Sequence, residues 1–499
     1  MKVRLKKVIP IALTLCFAAA ACSNSSDSAS SGSNPAKPTS TTVTAASTAS
    51  SASAAGADST TVSSAADTTP ATGGGSVTTA PPSTGAATTI PANDRNKFEP
   101  ITGVPGVTDT EIGYAAIGTR ANNPLGTCIL DCYLDGIKAY FNFRNSEGGI
   151  FGRQLKVNQE LDDELANNQV RSLDVISNNQ SFGVFDATLV SSGWGDLDSA
   201  GIPTYTWGIQ PADSANRPNN FPSTVLQCSD CTQHQVSYAV KLAGAKHVGV
   251  IGYGVTENSK RCVTATANSV TKYASDIGAD VGYTNDNLTF GLPNGIGPEV
   301  SAMRDAGVDF IATCIDLNGM KTLGDELHRQ GMDNVVLYHP NTYDQKFITD
   351  AGGIFEGDFV GVAFLPFEAE SGKSALGDFL TWMSKDGKAP TELSMVGWIN
   401  ASVAFEGLLA AGPQFDRAKV SAATNAFTAD TAGGLVRPIN WTTGHTPYTN
   451  DTRPAGQQGE CTTMVRVKDG KFETVAPAAT PWLCWDSTDW SDPTFKAFG

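Results

Sequence analysis

The residues of this sequence that could do chemistry are its cysteines, its histidines, one glycine run and a set of polar residues that follow short apolar runs. There are 10 cysteines. Cys228 and Cys231 form a CxxC, but no second CxxC and no paired histidines follow, so the ligand spacing of a zinc site is missing. The 5 histidines, His234, His247, His328, His339 and His445, are scattered, and neither HExxH nor GxSxG occurs. The run Gly252, Tyr253, Gly254 lacks the rest of a dinucleotide fingerprint. His339 could serve as a base, yet its neighbours offer no nucleophile. The sequence therefore predicts a protein that is not an enzyme and holds no metal and no cofactor. Recognition is what remains. Thr119, Arg120, Ser191, Ser192, Thr206, Trp207, Tyr253, Asp316, Asn318, Asn341 and Tyr343 offer hydroxyls, amides, charge and aromatic faces, each just beyond an apolar run. A Ser or Thr in such a place also serves as a helix cap.

The elements that would position these residues can be read from periodicity. Glu111 to Ile117, Gln154 to Glu160, Phe182 to Thr188 and Pro203 to Thr206 read as strands, with helices at Leu134 to Asn145 and Leu165 to Asn178 between the first three. In the first of these helices Leu134, Ile137, Tyr140, Phe141 and Arg144 share one face, and Gly148 and Gly149 stop it. The rhythm restarts after Gly244. His247 to Gly252, Asp280 to Thr284, Val308 to Thr313 and Asn334 to Tyr338 read as strands, separated by helices at Glu257 to Ile277, Gly297 to Ala306 and Asn318 to Gln330. Such alternation makes parallel sheets with helices on both faces. Two runs of it predict two doubly wound α/β lobes with a ligand cleft between them, because open parallel sheets bind beyond the carboxyl ends of their strands.

The N-terminal part of the chain has another role. Lys2, Arg4, Lys6 and Lys7 precede an apolar stretch from Val8 to Ala21 that ends in small residues before Cys22. That stretch is shorter than the roughly 20 residues of a membrane span, and it reads as a signal peptide over residues 1–22. A cysteine at the cleavage point resembles a bacterial lipobox, which predicts lipidation at Cys22 and a place on the outer face of the cell membrane. Residues 23–97 are mostly Ser, Thr, Ala, Gly and Pro; such a chain builds no core. Its roughly 70 residues of coil would span about 45 to 50 Å. The 34 basic and 50 acidic residues give a net charge of −16, and loss of the signal's basic residues makes it more negative. Nucleic acid is thus an unfavourable partner. With Cys16 removed and Cys22 lipidated, the remaining cysteines are even in number, as a disulfide framework outside the cytoplasm requires. Cys314 ends one strand, and Cys262 lies in the first turns of the helix after another. If those strands are neighbours, about 4.8 Å apart, a bond between the two cysteines is feasible. The rest then pair most simply as Cys128 with Cys132, Cys228 with Cys231 and Cys461 with Cys484, a cross-pairing of the short loops being the alternative.

The stretch DGIKAYFNFRNSEGGIFGRQLKV (Asp135 to Val157), preceded by VTDTEIGYAAIG, resembles the first lobe of type I periplasmic binding proteins of the leucine/isoleucine/valine-binding branch, which serve ABC importers. VDFIATCIDLNGMKTLGDELHRQGMDNVVLYHPN resembles that family's second lobe, and RPINWTTGHTPYTN with MVRVKDGKFETV resembles its closing segment. The resemblance implies chain crossings near Leu226, Leu365 and Cys461, hence one lobe from 98–226 and 366–460 and another from 227–365 and 461–499. It implies that Thr188, Ser191 and Ser192, then Thr206 with Trp207, hold a ligand's carboxylate, and that Tyr253 supplies an aromatic contact. The family's ammonium-binding carboxylate falls at Asn341, with Asp316 as a substitute on the neighbouring strand. Trp194 and Trp207 suit a flat ligand. The implied function is capture of an amino acid or a related amide or aromatic solute by a monomer that delivers it to an ABC permease; a receptor signalling to a membrane partner is the alternative.

Overall fold

The computed structural model describes residues 93–498 except 191, 226, 227, 229, 373 and 455–458. The signal, Cys22, Ser191 and the crossing at Leu226 lie outside the described residues. Asn93, which composition assigns to the linker, is tied to the fold: its amide donates to the carbonyls of Leu409 (2.9 Å) and Ala410 (3.2 Å) at the end of a core helix.

The first lobe alternates β1 (Glu111–Gly118), α1 (Leu130–Ser146), β2 (Gln154–Asp162), α2 (Asn168–Asn178), β3 (Gly183–Ala187), α3 (Trp194–Ser199), β4 (Thr204–Thr206) and β5 (Asn220–Pro222). These strands form one parallel sheet in the order β2-β1-β3-β4-β5. Order reversal at β1 places helices on both faces. The second lobe contains α4 (Gln235–Ala243), β6 (His247–Tyr253), α5 (Glu257–Lys272), α6 (Ala274–Ile277), β7 (Asp280–Leu288), α7 (Gly297–Asp305), β8 (Phe310–Cys314), α8 (Leu317–Arg329), β9 (Val336–His339), α9 (Gln345–Asp350) and β10 (Phe359–Val362). The chain then supplies α10 (Ala375–Lys385), α11 (Glu392–Ala411) and α12 (Arg417–Thr424), of which α10 and α11 pack on α1 and α12 packs on α11. It finishes in the second sheet with β11 (Glu460–Lys468), β12 (Lys471–Thr474), β13 (Trp482–Trp485) and β14 (Thr494–Lys496).

The second sheet is mixed. Its parallel part runs β7-β6-β8-β9-β10, and β11, β13 and β14 extend it antiparallel, with β12 as a hairpin partner of β11. Several boundaries differ from the sequence reading, among them those of three helices. The helix expected over Glu257 to Ile277 breaks at Tyr273, which packs its ring into the lobe and is buried. α1 starts at Leu130, and the bond from Cys128 to Cys132 ties its first turn to the preceding loop. α2 starts at Asn168 because Glu164 and Leu165 take positive φ (52° and 82°) in a turn.

Disulfides join Cys128 to Cys132, Cys228 to Cys231, Cys262 to Cys314 and Cys461 to Cys484. Strands β6 and β8 are neighbours, with Gly252 opposite Cys314. The bond from Cys262 therefore ties α5 to the carboxyl end of β8. The long apolar helix α11 has the length and hydropathy of a membrane span, but 83% of its most apolar window is buried against the first lobe. It is a core helix.

Candidate functional site

The carboxyl ends of β1, β3 and β4 carry a buried polar layer. In parallel strands, residues in register point to one face, and Ile117, Asp186 and Thr206 share a row. Asp186 accepts a hydrogen bond from Asn168 Nδ2 at 3.1 Å. Asn168 Oδ1 in turn accepts the backbone N–H of Ser192 (3.1 Å) and of Gly193 (2.8 Å). A buried amide thus fixes the loop between β3 and α3 from beneath. Ser192 itself is exposed, and Ser191 lies outside the described residues. Thr188 is buried near the Asp186 carboxyl, which it stabilises, but its hydroxyl makes no hydrogen bond of good geometry. The Thr206 hydroxyl donates to Asp213 at 2.7 Å, so the side chain expected to meet a ligand is bonded within the lobe. Trp207 is buried at the end of β4, and its carbonyl accepts Ser223 Oγ at 2.6 Å. Trp194 opens α3 with its indole N–H buried and unpaired.

Sequence reasoning did not single out Asp186, Asp213 or Asn168, because none of them directly follows the end of an apolar run: Asp186 sits inside β3, and the other two lie in a later turn and at the start of α2. Burial pushes Asp186 up to about 7, with the hydrogen bond from Asn168 opposing and the charges of Asp163 and Asp213 adding to the rise. Burial likewise pushes Asp213 up to about 7 against its bond from Thr206. Both carboxyls hold a proton in the folded chain to a higher pH than in the unfolded chain. Their stabilising contribution is full below the unfolded value near 4 and is lost as pH rises toward 7, at up to about 1.4 kcal/mol per pH unit for each group. Asp186→Asn, which keeps the acceptor for Asn168, is expected to raise the melting temperature at pH 8 while leaving it nearly unchanged at pH 4. Calorimetric melting across that range checks this, and an equal change at both pH values would refute it.

In the second lobe Tyr253, at the end of β6, donates its hydroxyl to Asp316 Oδ2 at 2.8 Å. Asp316 Oδ1 caps α8 by accepting Gly319 N–H at 2.8 Å. Asp316 is buried, and that burial raises its pKa although both bonds pull it down. Tyr253 meets Phe290 edge to face with ring centres 5.0 Å apart. His339, fully buried, sits between Asp358 (2.9 Å from Nε2) and Thr342 (2.7 Å from Nδ1). This relay braces the loop after β9 and leaves no open face for a base. Asn341, in that loop, is half-buried, and its Oδ1 is buried with no hydrogen-bond partner. Tyr343 is buried and donates to Glu368, whose pKa burial raises.

The two lobes meet above these ends. After β1, Asp162 accepts the N–H groups of Arg120 (3.0 Å) and Ala121 (3.0 Å), and Arg120 pairs with Asp131 through two nitrogens at 2.8 and 2.6 Å. Asn123 braces the following turn by donating to Thr127 O at 2.6 Å and accepting Leu125 N–H at 3.0 Å. Asn318, in the first turn of α8, then donates across to the Pro124 carbonyl at 2.6 Å. Gly126 is needed there: its φ is +77°, and a Cβ would lie 2.7 Å from Asn318 Oδ1. Thr119 is buried with its hydroxyl unpaired. Two surface depressions, of about 460 Å³ beside Lys246 and Asp280 and about 660 Å³ beside Phe472 and Phe495, contain none of the residues expected from the sequence to bind a ligand.

A family described as periplasmic binding protein matches residues 129–471. Among solved structures, the chain is similar to a fatty acid ABC transporter substrate-binding protein from Thermomonospora curvata, at 18% identity and TM-score 0.58, covering 78% of this chain and 97% of that one. It is similar to a leucine binding protein from Thermotoga maritima at 16% identity and TM-score 0.57, over 73% of this chain and 98% of that one. A branched-chain amino acid ABC transporter protein from Thermus thermophilus with bound valine shares 15% identity and TM-score 0.53, over 74% and 96%. At such identities the likeness shows the fold. No curated protein matches the chain.

Proposed function

The chain belongs to the periplasmic binding protein family, and from that premise we propose that it is a lipid-anchored receptor on the outer face of a bacterial cell membrane that captures a small solute and delivers it to an ABC permease. The observation that carries this reading is the meeting of two sheets at their carboxyl ends, with Asn318 of one lobe bonded to the Pro124 carbonyl of the other. A solute held between the lobes adds contacts that exist only when they are closed, and so shifts the hinge equilibrium toward the closed form. The permease would recognise that form. Cys22 carries the lipid, the Ser/Thr-rich segment after it acts as a tether, and the receptor works as a monomer without a cofactor. Catalysis has no part in it.

The test has two arms. A Cys22→Ser chain is expected to leave the membrane fraction and appear in the medium; continued attachment would refute the anchor. On the purified soluble chain, X-ray scattering is expected to show a smaller radius of gyration with a dialysable extract of the producing cells than without it. A solute at about 100 times its Kd should also add about 2.7 kcal/mol of stability. Identical scattering and melting with and without the extract would overturn the solute-binding reading.

A further inference from the structure

We propose that the solute taken between the lobes is uncharged: a carboxamide, urea or lactam with an apolar body, in place of an amino-acid zwitterion. The inference rests on the solute-binding reading above and concerns the groups that would meet the solute. An ion closed off from water costs several kcal/mol of desolvation unless fixed counter-charges or convergent N–H groups face it. At the carboxyl ends of the strands, the described residues have already committed such groups to one another.

The cations come first. Arg120 is spent on Asp131 through both its Nε and Nη2 and stays partly exposed. Lys321, on α8, is exposed. A ligand carboxylate would then depend on uncharged donors, yet the N–H groups of Ser192 and Gly193 are donated to Asn168 Oδ1 and the Thr206 hydroxyl to Asp213, which leaves the Thr119 and Thr188 hydroxyls and the Trp194 indole N–H, single neutral donors that suit a neutral carbonyl. The anions tell the same story. Asp316 has one oxygen on Gly319 N–H and the other on the Tyr253 hydroxyl, and Glu368 receives the Tyr343 hydroxyl. An ammonium group would compete with these bonds in buried surroundings. What stays unspent is neutral. The Asn341 Oδ1 is a buried acceptor with no partner, which calls for an N–H donor. In the same lobe, at the ends of β6 and β7, the Tyr253 and Phe290 rings offer an edge-to-face aromatic wall. An N–H donor suits the first and an apolar body the second.

Calorimetry on the full soluble chain tests this with compounds that share an apolar body and differ in the polar head: 4-methylpentanamide, 4-methylpentanoate, 4-methylpentan-1-amine and leucine, and in parallel benzamide, benzoate and benzylamine. At least one neutral amide is expected to bind at least tenfold tighter than its charged counterparts. Asn341→Asp, which supplies an anion where the neutral acceptor stood, is expected to move the preference toward the amine at least tenfold. Tighter binding of leucine, or of any other charged member, would overturn the proposal, and so would the absence of binding by both neutral amides. The ranking on the unaltered chain stands alone if the variant does not fold. Contraction of the chain in cell extract, combined with failure of the amides, would reject the ligand class and keep the solute-binding reading. No contraction in any condition would reject the latter.

Discussion

A Gly136→Val chain is expected to lose about 3 kcal/mol of stability or more, enough to leave much of it unfolded at growth temperature. Gly136 lies in α1 where that helix crosses α11, and a Cβ there would stand 1.8 Å from the Ser394 carbonyl oxygen. The contact is reciprocal: a Cβ at Gly397 of α11 would stand 2.2 Å from the Tyr133 carbonyl oxygen. The neighbours are backbone, so no side chain can step aside. The helices would have to part, and the rings that close over the crossing would part with them. Tyr140 meets Trp398 edge to face at 5.0 Å, and Phe143 stacks on the same indole at 5.8 Å. Gly282→Ala in the exposed part of β7, where the nearest atom to a Cβ is 3.5 Å away, is the control and should shift stability little. Urea unfolding of the three chains decides the matter: a midpoint for Gly136→Val within error of the unaltered chain would remove the steric argument.

The second large effect is expected at Arg153. Its side chain is fully buried, and its guanidinium donates to the carbonyls of Thr108 (2.7 Å), Phe151 (3.0 Å) and Glu99 (2.8 Å). Phe98 covers it with its ring 4.8 Å from the guanidinium carbon. The residue therefore fastens the segment before β1 to the turn before β2. Arg153→Met keeps much of the apolar volume but leaves those carbonyls without donors, at about 1 to 3 kcal/mol for each buried group. A loss of about 3 kcal/mol or more is expected, together with faster amide hydrogen exchange at residues 99–108. Unchanged exchange in that segment would show that Arg153 does not fasten it.

Much of the architecture was legible because it depends on periodicity. The strands from Glu111, Gln154 and His247 begin where alternation begins, and α7 and α8 fall within a residue of the positions their apolar faces suggest. Glycines were legible where their backbone role is local, as at Gly148 and Gly149, which end α1 with φ of 100° and 71°. The reason for Gly136 was not, since the atom that forbids a side chain belongs to Ser394, 258 positions along the chain. The site divides in the same way. Tyr253, Asp316 and Asn341 stand at or just beyond the ends of β6, β8 and β9, where the strand pattern places them. The partners that commit those side chains, such as Tyr253 to Asp316, come from different strands, and no spacing encodes the pairing. Asn168 and Asp186 were missed for this reason: one opens a helix and the other sits inside a strand, and only the folded sheet brings them within 3.1 Å. The antiparallel strands β13 and β14 were also missed, because runs of four and three residues carry too little pattern to be seen.

The outermost strands of the two sheets have a bearing on how copies of this chain behave when crowded together. An unpaired strand edge is a template for a second molecule, and long flat apolar edges invite aggregation. Here β2 turns Lys156, Asn158 and Glu160 to solvent, and β7 does the same with Asp280, Asp286 and Asn287. β5 and β14 are three residues each, the former ending in Pro222, which has no N–H to offer a partner strand, and the latter following Pro493. The edges thus resist extension by a neighbour through charge, brevity and proline, so that many copies can share a small area without joining edge to edge.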